Sequence, residues 1–307
     1  MRGVVFRETF QGLPKTVNWF PGHMKKAMLG LEDELKKADL FIEVRDARIP
    51  YTSYNSELQN YIPQKMKRLV VFNKMDLANE KKTLSIIKDI QQKHLEQNKN
   101  AQPLETIHLS TKKNVNVQKL LQFVKQNISP QFKTVGAWIM IGGIPNVGKS
   151  TIINSLRKKD EDLASRSDRS GAKVGGIPCI TKSITGFKII SDPPTYIMDT
   201  PGIIQPKLRE NSEDGLKLCA CNNIRDGIVE LENVCDYILW KLNKEGVFAY
   251  VNRFNLAGRR PNDNLHEVIL QLQERFQCKE RSNAIDIFLR EFRDGHLGQI
   301  TLDDLDK

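Results

Sequence analysis

Short aliphatic blocks alternate along the first part of this chain with longer stretches whose apolar residues recur at helical spacing. Leu40–Val44, Arg68–Phe72, Thr106–Leu109 and Trp138–Ile141 have strand length and are rich in aliphatic and β-branched residues, as buried strands are. Lys81–Glu96 and Lys149–Arg157 read as helices. Val115–Gln126 carries Val117, Leu120, Leu121 and Val124 on one helical face. Asp46–Pro50 reads as a loop leading into a short helix. This alternation predicts a mostly parallel sheet with helices on both faces.

The pattern then changes twice. Ile184–Met198 reads as two strands joined by a turn at Ser191-Asp192-Pro193-Pro194. Beyond Pro206 no strand block remains, and Glu213–Leu242, Asn264–Arg275 and Ser282–Phe292 read as helices. The expected organisation is an extension over 1–30, an α/β domain over 31–206 and a small all-α domain over 207–307.

Composition adds limits. No apolar run approaches the ~20 residues that span a bilayer, so no transmembrane segment is expected. The 307 residues carry a formal net charge of +10, which favours polyanions, whether RNA or an anionic membrane surface. The five cysteines include no C-x-x-C pair, which argues against a structural zinc site and for reduced thiols. Met1–Arg7 has arginines, apolar residues and no acid, the composition of a short mitochondrial presequence.

The chemistry is concentrated in three motifs. Gly143-Ile144-Pro145-Asn146-Val147-Gly148-Lys149-Ser150 follows a strand and opens a helix, the context a phosphate-binding loop requires. Its glycines let backbone N–H groups close on phosphate oxygens. The amides from Asn146 through Thr151 lie at a helix N-terminus, which favours anions. Lys149 is placed for the β- and γ-phosphates, and the Ser150 hydroxyl for Mg²⁺. Asp199-Thr200-Pro201-Gly202 follows a strand, with Asp199 placed for Mg²⁺ and the Gly202 N–H for the γ-phosphate. Thr181 is the candidate switch threonine, a second Mg²⁺ contact in a segment, Ser165–Lys182, that suits a loop ordered by nucleotide.

Asn73-Lys74-Met75-Asp76 supplies the base preference. A carboxylate at Asp76 can accept from guanine N1–H and the 2-amino group, whereas adenine has no donor there. Asn73 is expected to tie this loop to the phosphate loop, and the Lys74 stem to cover the base. Ser110-Thr111-Lys112 ends the next strand, where a backbone N–H can read guanine O6. Many GTPases place glutamine after the switch glycine to orient the attacking water. Here that position is Ile203, which has no polar group. Asn146 can ligate a monovalent cation beside the phosphates, or simply suit the turn. His23 can be catalytic or a packing residue.

The base-reading motif precedes the phosphate loop, reversing the usual order. With Trp19-Phe20-Pro21-Gly22-His23-Met24, Asp46-Ala47-Arg48-Ile49-Pro50 and the apolar Ile203, the chain resembles the circularly permuted GTPases that assemble large ribosomal subunits. The tail Phe288–Gly295 with Leu297-Gly298 resembles the mitochondrial members. The resemblance implies a circularly permuted P-loop GTPase fold and hydrolysis of GTP with Mg²⁺ and K⁺. It implies His23 in place of the missing glutamine and Asn146 in potassium activation. It also implies binding to the large mitochondrial ribosomal subunit and its rRNA in the matrix, with peripheral contact to the inner membrane. A bacterial counterpart would be cytoplasmic. One departure stands out, since Cys179 occupies a position before Ile180-Thr181 where the family usually has glycine. Asp76→Asn is expected to shift base preference from guanine toward xanthine, measured by competing GDP and xanthosine diphosphate for the site.

Overall fold

The computed structural model describes residues 6–14, 34–63, 65–97, 103–128, 136–160, 185–200 and 212–305. Six strands form one sheet: β1 (Leu40–Asp46), β2 (Arg68–Asn73), β3 (Glu105–His108), β4 (Ala137–Gly142), β5 (Thr185–Ile190) and β6 (Thr195–Asp199). Their spatial order is β3-β2-β1-β4-β6-β5. Every neighbouring pair is parallel except β5 with β6. Parallel neighbours need crossover connections, supplied by α1 (Ser56–Gln59), α2 (Glu80–Gln97) and α3 (Val117–Asn127). Helix α4 (Lys149–Arg157) follows β4.

Strand β1 is buried along its whole length although it contains Glu43, Arg45 and Asp46. Alternation explains how. Leu40, Ile42 and Val44 face the main core with Val71, Ile139, Ile141 and Ile197. Phe41 faces the other way, with Met140 and Met198. Glu43 on that second face is ion-paired with Arg45 at 2.7 Å and Arg68 at 3.4 Å, so its buried charge is compensated.

After the sheet come α5 (Asp214–Ala220), α6 (Leu231–Lys244), α7 (Ala249–Phe254), α8 (Leu265–Phe276) and α9 (Arg281–Arg293). The single helix expected over Glu213–Leu242 is therefore two helices. The break contains Asn222 at φ 61° and Gly227 at φ 89°, left-handed conformations that end a helix and that asparagine and glycine adopt most cheaply. Helix α7 lies where no element was expected.

One continuous apolar cluster runs from Ile42 and Ile141 through Ile152 to Leu216, Tyr237 and Phe288. The helices therefore pack on the α/β part in a shared core. The boundary expected at 206 lies outside the described residues. The N-terminal segment joins this packing, with Phe10 edge-on to Tyr237 at 5.4 Å. Arg7, part of the presequence-like stretch, is ion-paired with Asp236 at 2.8 Å and Asp263 at 3.0 Å. Among the described residues no helix is long and apolar enough to cross a membrane.

Near the C-terminus, Asp304 pairs with Lys241 at 2.6 Å and Lys82 at 2.6 Å, linking α6 to α2. Burial alone would raise the Asp304 carboxyl, but hydrogen bonds from Lys241 and Lys82 outweigh it and hold the pKa at about 2. A depressed carboxyl stabilises the fold above its unfolded pKa, and the stabilisation is lost as pH falls through the folded value. Asp304→Asn is expected to lower the urea midpoint near neutral pH, with the deficit closing as pH drops from about 4 toward 2. A deficit constant with pH would contradict the ion-pair account.

Candidate active site

The motif residues gather at the carboxyl ends of the parallel strands, where open α/β sheets bind ligands. Gly143–Ser150 joins β4 to α4, Asn73–Asp76 leaves β2, Ser110 and Thr111 follow β3, and Asp199 ends β6. Asn73 links three of these loops. Its Nδ2 donates to the Val147 carbonyl at 2.9 Å, while its Oδ1 accepts from the Thr111 N–H and Oγ1, each at 3.3 Å. Two glycines make room for this closure. Gly148 has φ +100°, and a Cβ there would lie 2.3 Å from Asn73 Nδ2. At Gly143, φ +142°, a Cβ would lie 2.3 Å from the Val44 carbonyl oxygen. An L side chain at either position would be both strained and blocked.

On the phosphate side, Lys149 is buried and donates from Nζ to the carbonyls of Gly143 at 3.1 Å and Ile144 at 3.0 Å. An ammonium held over the loop can neutralise phosphate oxygens bound by the loop amides. The Ser150 hydroxyl donates to Asp199 Oδ2 at 2.8 Å. Among the described residues, Asp199 Oδ1 is buried with no hydrogen-bond partner. Burial pushes the Asp199 carboxyl up, and Lys149 with the Ser150 hydroxyl pulls it back. A hydroxyl beside a buried carboxylate oxygen lacking a partner is the donor set of a Mg²⁺ site, so these residues fit the metal. Thr200 is occupied structurally, its Oγ1 donating to the Ile141 carbonyl at 2.8 Å.

On the base side, Lys74 sits at φ 66° and its Nζ pairs with Asp46 Oδ2 at 2.8 Å. Arg48 also pairs with that oxygen at 2.8 Å. Burial would raise the Asp46 carboxyl, but Arg48 and Lys74 together hold it well below the usual carboxylate range. Burial lowers Lys74, and Asp46 opposes that shift. The ammonium is thus anchored at the end of β1, which aims the lysine stem. Asp76 lies in a 3₁₀ turn, Met75–Leu77, that follows directly. Ser110 accepts from the Lys113 N–H at 3.0 Å through its hydroxyl, shaping the turn that carries Thr111.

Asn146 has φ 56°, so its backbone suits the turn, and its Nδ2 donates to the Asn222 carbonyl at 2.8 Å. The amide oxygen is the atom of this side chain able to ligate a cation. Neighbouring Asn223 donates to the Pro145 carbonyl at 2.7 Å. The break between α5 and α6 is therefore docked on the phosphate loop. His23, Thr181, Gly202 and Ile203 lie outside the described residues, as does the Trp19–Met24 motif.

A family profile described as "50S ribosome-binding GTPase" matches residues 138–272, and one described as "Elongation factor Tu GTP binding domain" matches 21–130. "Mitochondrial ribosome-associated GTPase 1" of Mus musculus is 33% identical over 93% of this chain and 89% of its own length. "Ribosome biogenesis GTPase A" of Bacillus cereus is 34% identical over 94% of this chain and 93% of its own. The fold matches GNP-bound YlqF from T. maritima with a TM-score of 0.55 at 20% identity, covering 91% of this chain and 98% of that one. The chain belongs to the circularly permuted, ribosome-associated GTPases. The α/β part is accordingly a permuted P-loop GTPase fold, followed by helices.

Two features of this GTPase's site are not legible in local sequence patterns. Asp46 and Arg48 stood out as a loop and as part of a family motif, but nothing local says that Asp46 will meet Lys74. The Asn222-Asn223 dock was hidden inside an assumed helix, although Asn-Asn followed by Asp226-Gly227 is a break signal. Asn73→Ala removes one donor to Val147 and one acceptor for Thr111. The expected cost is about 1–3 kcal/mol of stability, read as a urea-midpoint shift, together with weaker GDP binding by calorimetry.

Proposed function

We propose that this chain is a GTP-hydrolysing assembly factor that binds the large mitochondrial ribosomal subunit during its maturation and leaves after hydrolysis. The reading rests on one observation above all. A single side chain, Asn73, joins the phosphate loop to the base-reading loop, in a chain whose relatives carry ribosome-associated GTPase names.

In this reading the amides of Gly143 and Asn146 through Thr151 bind the phosphates, with Val147 and Gly148 at the centre. Lys149 neutralises β- and γ-phosphate charge. Asp76, Lys74, Asn73, Ser110 and Thr111 hold guanine. Ser150, Asp199 and Thr181 would hold Mg²⁺, which would supply neutralisation of phosphate charge when bound. The Gly202 N–H reports the γ-phosphate. His23 orients the attacking water, a task Ile203 cannot perform, and Asn146 supports a K⁺ ion beside the phosphates. The net charge of +10 suits rRNA contact. Mitochondrial names among the relatives, including "Mitochondrial GTPase 1" of Schizosaccharomyces pombe at 31% identity, support a mitochondrial location, which we read as the matrix with peripheral contact to the inner membrane.

A second reading, a GTP-dependent binding module with little hydrolysis, is favoured by Ile203 alone. GTP turnover measured with and without large mitochondrial subunits, in potassium and in sodium, separates the two. Stimulation by subunits of about ten-fold or more, greater in potassium, is the expected outcome for an assembly GTPase that needs its partner. Turnover indifferent to subunits would defeat the assembly switch. Single-turnover assays releasing no phosphate, even on the subunit, would favour the binding module.

A further inference from the structure

We infer that the C-terminal strap Leu297–Asp304 is part of the guanine-reading device, with Gln299, Ile300 and Thr301 as positioning residues for the loop that carries Asp76. This rests on the assignment of Asp76 as the base reader.

The loop cannot hold itself. Its 3₁₀ turn uses the Lys74 carbonyl for the Leu77 N–H at 2.9 Å and the Met75 carbonyl for the Ala78 N–H at 3.3 Å. The carbonyls of Asp76 and Leu77 come next, at the end of a short helical turn whose last acceptors need outside donors. The strap supplies both. Gln299 Nε2 donates to the Asp76 carbonyl at 2.9 Å, and the Ile300 N–H donates to the Leu77 carbonyl at 3.1 Å. Thr301 Oγ1 then accepts from the Asn79 N–H at 3.1 Å and meets Thr83 Oγ1 at 2.7 Å. These contacts join residues more than 200 positions apart in sequence, so local folding cannot create them.

The same strap holds the other end of the base-reading loop. The Leu302 N–H donates to the Arg48 carbonyl at 2.8 Å, fixing the segment whose Asp46 receives Lys74 Nζ. Thr83 Oγ1 reinforces it by donating to the Ala47 carbonyl at 3.0 Å. Asn73-Lys74-Met75-Asp76 is thereby held at Lys74 by Asp46 and just beyond Asp76 by the strap, and the strap spans both supports.

The strap is itself anchored. Leu297, Ile300 and Leu302 are buried. Asp303 accepts from the Tyr51 N–H at 2.8 Å, the Thr52 N–H at 2.9 Å and Lys217 Nζ at 3.1 Å. Lys217 lies on α5, and Lys241 on α6 binds Asp304. The helices are therefore linked to the Asp76 loop through the strap. A carboxylate reads guanine through two directional hydrogen bonds, which weaken steeply with misalignment. Loosening the loop should cost the second bond first.

The test compares GDP with inosine diphosphate, which lacks the 2-amino group and offers Asp76 one donor instead of two. Calorimetry on the full chain is expected to give GDP the tighter binding by roughly ten-fold, the scale of one hydrogen bond to a charged group. Gln299→Ala with Thr301→Val is expected to weaken GDP by about five-fold and bring the two affinities toward equality. Thr301→Ser in place of Thr301→Val should restore part of the preference. Gln299 is exposed, so Gln299→Ala alone carries the test if the double variant does not fold. An unchanged GDP-to-inosine ratio, or an equal loss for both nucleotides, would overturn the inference and leave only a packing role for the strap. Equal binding of the two nucleotides by the unsubstituted chain would instead defeat the assignment of Asp76.

Discussion

The carboxamide of Asn73 is the constraint on which the nucleotide site depends. In the proposed function, phosphate binding and base reading are separate tasks, assigned to loops that leave different strands. A nucleotide senses both only if their separation is held to a fraction of an ångström. Asn73 holds it by donating to Val147 in one loop and accepting from Thr111 in another. The parallel register between β1 and β2 sets Asn73 opposite Asp46, so the Lys74 that follows falls beside the carboxylate that anchors it. Gly148 completes the arrangement because any side chain there would displace the Asn73 amide.

Buried charge is concentrated around that constraint. On the base side Asp46 is ion-paired with both Arg48 and Lys74, although Arg48 Nη1 has no partner among the described residues, while on the phosphate side Asp199 Oδ2 accepts from Ser150 and Oδ1 has none. The difference is chemically informative. Ion pairs of this kind fix geometry, and burying the Asp46 carboxylate is tolerated because its two cations are close. A buried carboxylate oxygen without a partner fits a divalent ion arriving with the nucleotide. Arg48 also donates to the Cys221 carbonyl at 3.2 Å, so the cluster touches the helices as well.

Chain order matters little to such a site. The strand ends are neighbours because β1 pairs with β2 and β4, and β4 with β6. None of these pairings requires the phosphate loop to come first in sequence. What permutation changes is which segments run on from the pocket. Among the described residues, the segments after β6 return to it at Asn222 and Asn223 against the phosphate loop, at Cys221 against Arg48, and through the strap against the base-reading loop. These contacts make the helices part of the site's framework.

The strands, most helices and the candidate phosphate and guanine motifs were legible in the sequence, because each is a local pattern. Period-two and helical periodicities, a glycine-rich loop between strand and helix, and a four-residue motif at a strand end all lie within a few turns of chain. The break inside Glu213–Leu242 was also locally written, in Asn222 and Gly227, but an apolar periodicity on either side masked it. The tertiary structure decided the rest. That Asn73 meets Val147, that Asp46 meets Lys74, and that Gln299 meets Asp76 are matters of adjacency across the sheet and its helical cover. Such contacts join segments whose separate patterns carry no record of each other. They exist only once packing has brought the strand ends, the helix break and the strap to one edge of the sheet.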